Sequence, residues 1–315
     1  MTSLTNSSTV LNPDTYLNHL TPSEGRQFEL GRNIILVALG MTIWDILVYV
    51  PEDWRILRRN PLRCIVLSFI FSRLFALSYV LLSVLERTMP FQAPRTPSMT
   101  KSFFGVFSYC CSTFLFLRRL HAVYSDQRWV RWIFSLLWIA YVAVEFSVPF
   151  GVGTIHIPGT RYYRSTVTKR NVGANGILLL IYDTSVFLAI TIKVVTSHSS
   201  TDERVKWSTI VSGKALPRLS RAIIQGGQQY YLMTAAATIL VTAMVYIPTI
   251  SGPLKLTFTI PVMPFVASMA SRAYRNLRLY ELDLAATSKE TPATMTNVQS
   301  ECTNATLSVG GIYNC

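Results

Sequence analysis

Seven apolar runs, each near the length of a helix that crosses lipid, constrain this chain more than any other feature. A hydrocarbon core of about 30 Å needs roughly 20 apolar residues in a helix. The runs fall at 30–50, 62–85, 102–117, 129–150, 176–195, 230–246 and 254–270. The first is expected to stop at Pro51, and the third to continue as helix past Arg118 and Arg119. Pro261, Pro264 and Lys255 lie in the seventh, and membrane helices accept proline where neighbours satisfy the freed backbone groups. Each run is too long and too continuously apolar for the short alternating strands of a barrel. The expected fold is therefore all-α, a polytopic membrane bundle of seven transmembrane helices within 30–280. A polar N-terminal tail, 1–29, precedes it, and a disordered cytosolic tail, 281–315, rich in Ser, Thr and Asn, follows it.

Composition points the same way. Half the chain is hydrophobic, only 14% is charged and the mean hydropathy is +0.34. Soluble domains carry about 25% charged residues, so lipid is the expected solvent. A net charge of +13 would suggest nucleic acid in a soluble protein. Here the basic residues cluster between apolar runs, as in loops that meet anionic headgroups. The partners expected are the bilayer and its anionic headgroups on the cytosolic side, with no nucleic acid. Residues 1–29 lack a basic segment followed by an early apolar core, so the first span is expected to act as its own insertion signal.

Orientation follows from Lys and Arg. With the N-terminus outside, eighteen fall in cytosolic segments and ten in outer ones, with Arg73 alone deep in a span. The expectation is N-terminus outside and C-terminus cytosolic, in the plasma membrane or an endomembrane. Four positives in the 151–175 loop oppose it. Asn6-Ser7-Ser8 is a glycosylation sequon that would face the lumen, and Asn304-Ala305-Thr306 one that would not.

Ionisable groups deep in a span cost about 2.5–3.5 kcal/mol on insertion scales, so those present need a reason. Four stand clear of the span ends: Asp45, Arg73, Glu145 and Asp183. Asp45 and Arg73 lie on consecutive helices joined by a short connection, and are expected to form an intramembrane ion pair of structural role, although their depths are offset. Glu145 and Asp183 both fall in the outer half, without a deep cation between them. Such acids suit a ligand site or a proton-linked step, and equally a polar contact that fixes helix packing. Arg118, Arg119, Arg272, Arg275 and Arg278 follow spans on the cytosolic side, where they would contact lipid headgroups or a cytosolic effector. The 196–229 segment is the main candidate for an effector face, and Arg161-Tyr162-Tyr163-Arg164 for an anion-binding lip outside.

No HExxH, GxSxG or phosphate-binding glycine loop occurs, and His19, His121, His156 and His198 are dispersed. No catalytic residue, metal site or cofactor is expected. Cys64, Cys110, Cys111, Cys302 and Cys315 form no metal or redox motif. The last span has no deep lysine for retinal. Neither DRY nor NPxxY is present, nor the cysteines that rhodopsin-like receptors place at the outer end of helix three and in the following outer loop.

Three short motifs carry a resemblance. Trp44-Asp45 precedes Pro51-Glu52-Asp53-Trp54, Ser72-Arg73 lies in the second span, and the last span ends in Ser271-Arg272-Ala273-Tyr274-Arg275-Asn276-Leu277-Arg278. With these the chain resembles an uncharacterised multi-pass membrane protein family of mushroom-forming fungi, defined by a domain of unknown function. The resemblance covers about 30–280 and implies a membrane location and a shared helical core, but no activity. The expectation is a receptor-like membrane protein, sensing a small ligand near Glu145 and Asp183 and signalling through basic cytosolic loops. The alternatives are a proton-linked transporter or channel, and a structural, lipid-organising protein.

Overall fold

A capping box starts the first helix. The Thr21 hydroxyl donates to the Glu24 carboxylate (2.9 Å), while the Glu24 N–H donates back to the Thr21 hydroxyl (3.4 Å). Pro22 takes the first helical position, where its missing N–H is not needed. In the computed structural model, residues 20–59, 64–89, 95–156, 163–167, 171–199, 229–247, 254–255, 257–279 and 282 are described. The elements are α1 (Pro22–Arg59), α2 (Cys64–Thr88), α3 (Arg95–Val123), α4 (Arg128–Glu145), a 3-10 turn (Val148–Phe150), β1 (Val152–His156), β2 (Tyr163–Val167), α5 (Asn171–Ser199) and α6 (Gln229–Tyr246). Helical residues 257–273 form α7. Two compact units divide the chain, Met1–Ala273 and Tyr274–Cys315.

Six helices, α1 to α6, are long and apolar enough to cross a membrane. Helix α7 is not among those six. Its Pro261, Pro264 and Ser/Ala-rich second half dilute its hydropathy, as the sequence foreshadowed. The polarity of the bundle is inverted relative to a soluble protein. Asp45, Arg73, Lys101, Glu145 and Asp183 are buried, whereas Met41, Trp44, Leu47, Trp129, Trp132 and Leu240 are exposed. Broad apolar faces of this kind fit hydrocarbon and not water, and point to a membrane-embedded protein.

Several boundaries differ from the sequence expectation. Helix α1 is 38 residues long and runs through Pro51 to Arg59. An interior proline removes one backbone bond and crowds the preceding turn. Side chains on both sides of Pro51 are held by arginines, as described below, and that anchoring outweighs the local penalty. Residues 22–29, expected in the polar tail, belong to α1, and α3 begins at Arg95. Helix α4 ends at Glu145, followed by a 3-10 turn on Pro149. The expected loop 151–175 instead holds an antiparallel hairpin, with Val152 opposite Val167 and His156 opposite Tyr163. The fold is helical as expected, with this one short hairpin beside the helices. The β-branched residues on both sides of Pro158-Gly159 explain it.

Helix α3 is the most buried of the six, with half of its apolar window inside. It packs against α2, α4 and α5. Small residues make this close packing workable: Ser98, Ser102, Gly105, Ser108 and Ser112 line its buried face. Ser108 donates to the backbone carbonyl of Ser72 on α2 (2.9 Å). A Cβ on Gly105 would lie 2.8 Å from Met263 Cε and 3.3 Å from the Tyr79 ring, so α3 approaches α2 and α7 there because glycine leaves the space. The hairpin and the 3-10 turn pack on α3 at one end of this unit, called the hairpin end. The opposite end carries Arg118 and Arg119 and is called the arginine end.

Candidate functional site

Four charged side chains from three helices meet on α1. Arg73 Nη2 donates to Asp45 Oδ2 (2.8 Å) and to the Asp45 backbone carbonyl (2.8 Å), while its Nη1 donates to Asp53. Arg272 of α7 donates through Nη2 to Asp45 Oδ1 (2.7 Å), and its guanidinium lies 5.1 Å from the Tyr49 ring. Asp45, Tyr49 and Asp53 are spaced by four residues and share one side of α1. The continuation through Pro51 reverses the expected depth offset. From the α1–α2 connection, Asp53 stands about 9 Å along α1, Asp45 about 21 Å, and Arg73 about 14 Å along α2. Arg73 is level with the gap between the two acids and reaches both. Among these described side chains two acids meet two bases, which fits a structural ion cluster.

Glu145 and Asp183 have a different environment. They are 3% and 4% exposed. Glu145 lies at the last turn of α4, with Asn175 of α5 and Tyr141 within donating reach. Asp183 accepts from Thr238 of α6 at 3.3 Å, but that hydroxyl also faces the Thr234 carbonyl at 2.9 Å and has one proton to give. Glu145 Oε2, Asp183 Oδ1, Asn175 Oδ1 and the Tyr141 hydroxyl all lack a hydrogen bond of normal geometry. The two carboxylates share no hydrogen bond. Both lie within electrostatic range of Tyr109 on α3 and Tyr141 on α4. Tyr141 stacks on Tyr182 of α5 (5.8 Å between ring centres), and Tyr182 donates to the Thr113 carbonyl of α3 (3.0 Å). Helices α3 to α6 thus surround one polar region that has no basic side chain among the described residues.

The hairpin end carries a second set of polar contacts. Lys101 of α3 pairs with Glu86 of α2, and both are largely buried. Arg87 donates to Thr257 (2.7 Å) and lies 5.5 Å from the Phe28 ring of α1. Lys101 and Glu86 are further buried charges, outside the four first singled out.

The arginines expected at headgroups or an effector divide. Arg118 is exposed. Arg119 lies 5.2 Å from the Tyr231 ring. Arg272 is committed to Asp45 and Tyr49, a correction to its reading as a surface contact, caused by the depth of Asp45 beside α7. In the second unit, Arg278 donates to the Tyr274 hydroxyl (3.3 Å), and Arg275 is 1% exposed and so is not a surface contact. Asn6, Asn304, Arg161, Tyr162, Cys302, Cys315 and residues 200–228 of the effector segment lie outside the described residues. Among the described residues no group of three His, Cys, Asp or Glu could hold a metal ion.

The sequence reading missed Asp53, Asn175, Tyr141 and Thr238 as site residues. Asp53 had a signal, its spacing from Asp45, hidden by the expected stop at Pro51. The other three are ordinary polar residues in apolar helices and carry no local mark. Comparisons with protein-family models, with curated proteins and with solved structures returned no match.

Proposed function

We propose that this chain is a receptor-like membrane protein of seven spanning helices, with its N-terminus and hairpin end outside and its C-terminus in the cytosol. It senses a small polar ligand between α3, α4, α5 and α6, near Glu145 and Asp183, and answers through the basic arginine end. The observation that carries the reading is the pair of buried carboxylates with unfilled oxygens. Such groups are costly unless something completes them. Two contacts support communication along α3 and α5: Tyr182 to the Thr113 carbonyl, and Tyr124 to the Ala189 carbonyl (2.7 Å) nearer the arginine end. In this reading the chain belongs with the fungal multi-pass proteins it resembles, no residue is catalytic, and anionic headgroups or an effector meet Arg118.

A proton-linked transporter is the second reading, favoured by the same absence, among the described residues, of a base beside the two acids. The test uses the purified full chain in lipid nanodiscs and in sealed vesicles. The double variant Glu145→Gln/Asp183→Asn should still reach the membrane but lose ligand-dependent protection of residues 118–131 from hydrogen exchange. Unchanged protection would end the receptor reading, and net uptake driven by a pH gradient would install the transporter. Modification of Asn6, with Asn304 unmodified, is the expected topology result, and the reverse would overturn the orientation.

A further inference from the structure

The charge balance of the bundle indicates what the Glu145–Asp183 region would hold. Three carboxylates are buried among the described side chains: Asp45, Glu145 and Asp183. Asp45 faces two guanidiniums. The largely buried Glu86 faces Lys101. Among the described residues, no basic side chain faces Glu145 or Asp183. The hydrogen-bond inventory has the same bias. Beside the two acids, Glu145 Oε2, Asn175 Oδ1 and Asp183 Oδ1 are unfilled acceptors, and the unfilled Tyr141 hydroxyl can both donate and accept. An occupant must therefore supply donors and positive charge.

We propose that this region binds a small organic amine, with its ammonium against one carboxylate and a second N–H or O–H donor against the other. The inference rests on the ligand-site reading above and adds the chemical class. The acids share no hydrogen bond, so an occupant with two separated donors suits them better than a compact ion. No group of three metal-ligating side chains stands here among the described residues. The phenol rings of Tyr109 and Tyr141 add electron-rich faces that attract an ammonium. Tyr141 is held by its stacking on Tyr182, so its ring is set in advance and not ordered by the occupant.

The experiment measures saturable binding of radiolabelled diaminobutane, ethanolamine and ethylamine to the full chain in nanodiscs, with butanediol as the uncharged competitor. Wild-type protein should bind at least one amine, and butanediol should not displace it. Glu145→Gln and Asp183→Asn should each weaken binding at least tenfold. Gly40→Ala, where an added Cβ meets nothing within 4 Å, should retain binding and serves as the folded control. Thermal unfolding of each variant distinguishes a lost site from a lost fold. Saturation by none of the amines would overturn the amine class. If butanediol instead binds and needs Glu145 or Asp183, the site stands and the positive charge does not. Amine binding that ignores both substitutions would overturn the site as well.

Discussion

Arg73 and Asp45 form a buried two-point clasp in which one guanidinium nitrogen, Nη2, serves both the Asp45 carboxylate and the Asp45 backbone carbonyl at 2.8 Å. The remaining nitrogen of the fork reaches Asp53, two turns further along α1. A planar cation with several fixed donors is what this arrangement requires.

Replacing Arg73 by Met should therefore destabilise the protein by about 3–5 kcal/mol, because Asp45 and Asp53 lose a shared partner in a buried setting. Arg73→Lys should recover little of that loss, since one ammonium lacks the fork that spans both acids. Thermal unfolding in detergent measures both. A lysine variant as stable as wild type would contradict the clasp.

The two acids should not be equivalent. Asp45 meets two guanidiniums with its side chain 12% exposed, whereas Asp53 pairs with Arg73 and is 23% exposed. Asp45→Asn should cost more stability than Asp53→Asn. Equal losses would show that Arg272 adds nothing at Asp45.

At the hairpin end, Glu86 and Lys101 are about equally buried, at 11% and 9% side-chain exposure. Glu86→Leu or Lys101→Met alone should remove this buried pairing, with a loss of about 3–5 kcal/mol. The double variant should regain most of it, because an apolar pair of similar volume suits the same space. A purely additive double variant would refute the pairing.

Glycines offer a packing test. At Gly105, Leu would meet Met263 and the Tyr79 ring, and should cost about 1–3 kcal/mol through overpacking. Gly40 has nothing within 4 Å of a Cβ position. Gly40→Ala should be neutral or stabilise by up to about 1 kcal/mol through helix propensity. Equal effects at the two positions would show that α3 does not rely on close approach at Gly105.

What could be read from the chain beforehand was set by how far each cause acts along it. Apolar runs are local, and six of them recur as long apolar helices. The cap at α1 was also local: Thr21-Pro22-Ser23-Glu24 is a capping-box pattern, masked by the polarity of 22–29. The hairpin left a similar trace in Val152 to His156 and Tyr163 to Val167 around Pro158-Gly159, which the emphasis on long apolar runs passed over. The Asp45–Arg73 pair was legible because it joins neighbouring helices. The role of Arg272 was not, because its partner lies 227 residues away and nothing near it in the chain marks the contact. Glu145 and Asp183 could be picked out by their type within apolar runs. Their lack of a base became visible only when all neighbouring helices were in place.

The distance between Asp45 and Arg272 bears on how this protein is made. A ribosome finishes Asp45 and must add 227 more residues before Arg272 exists, whereas Arg73 arrives after only 28. During synthesis, Arg73 is the first counter-ion Asp45 can find, and Arg272 is a late addition that ties the newest helix to the oldest. A nascent polypeptide cut short before residue 272 should keep its first two helices joined, yet remain recognisable to membrane quality control through the half-neutralised acid it exposes.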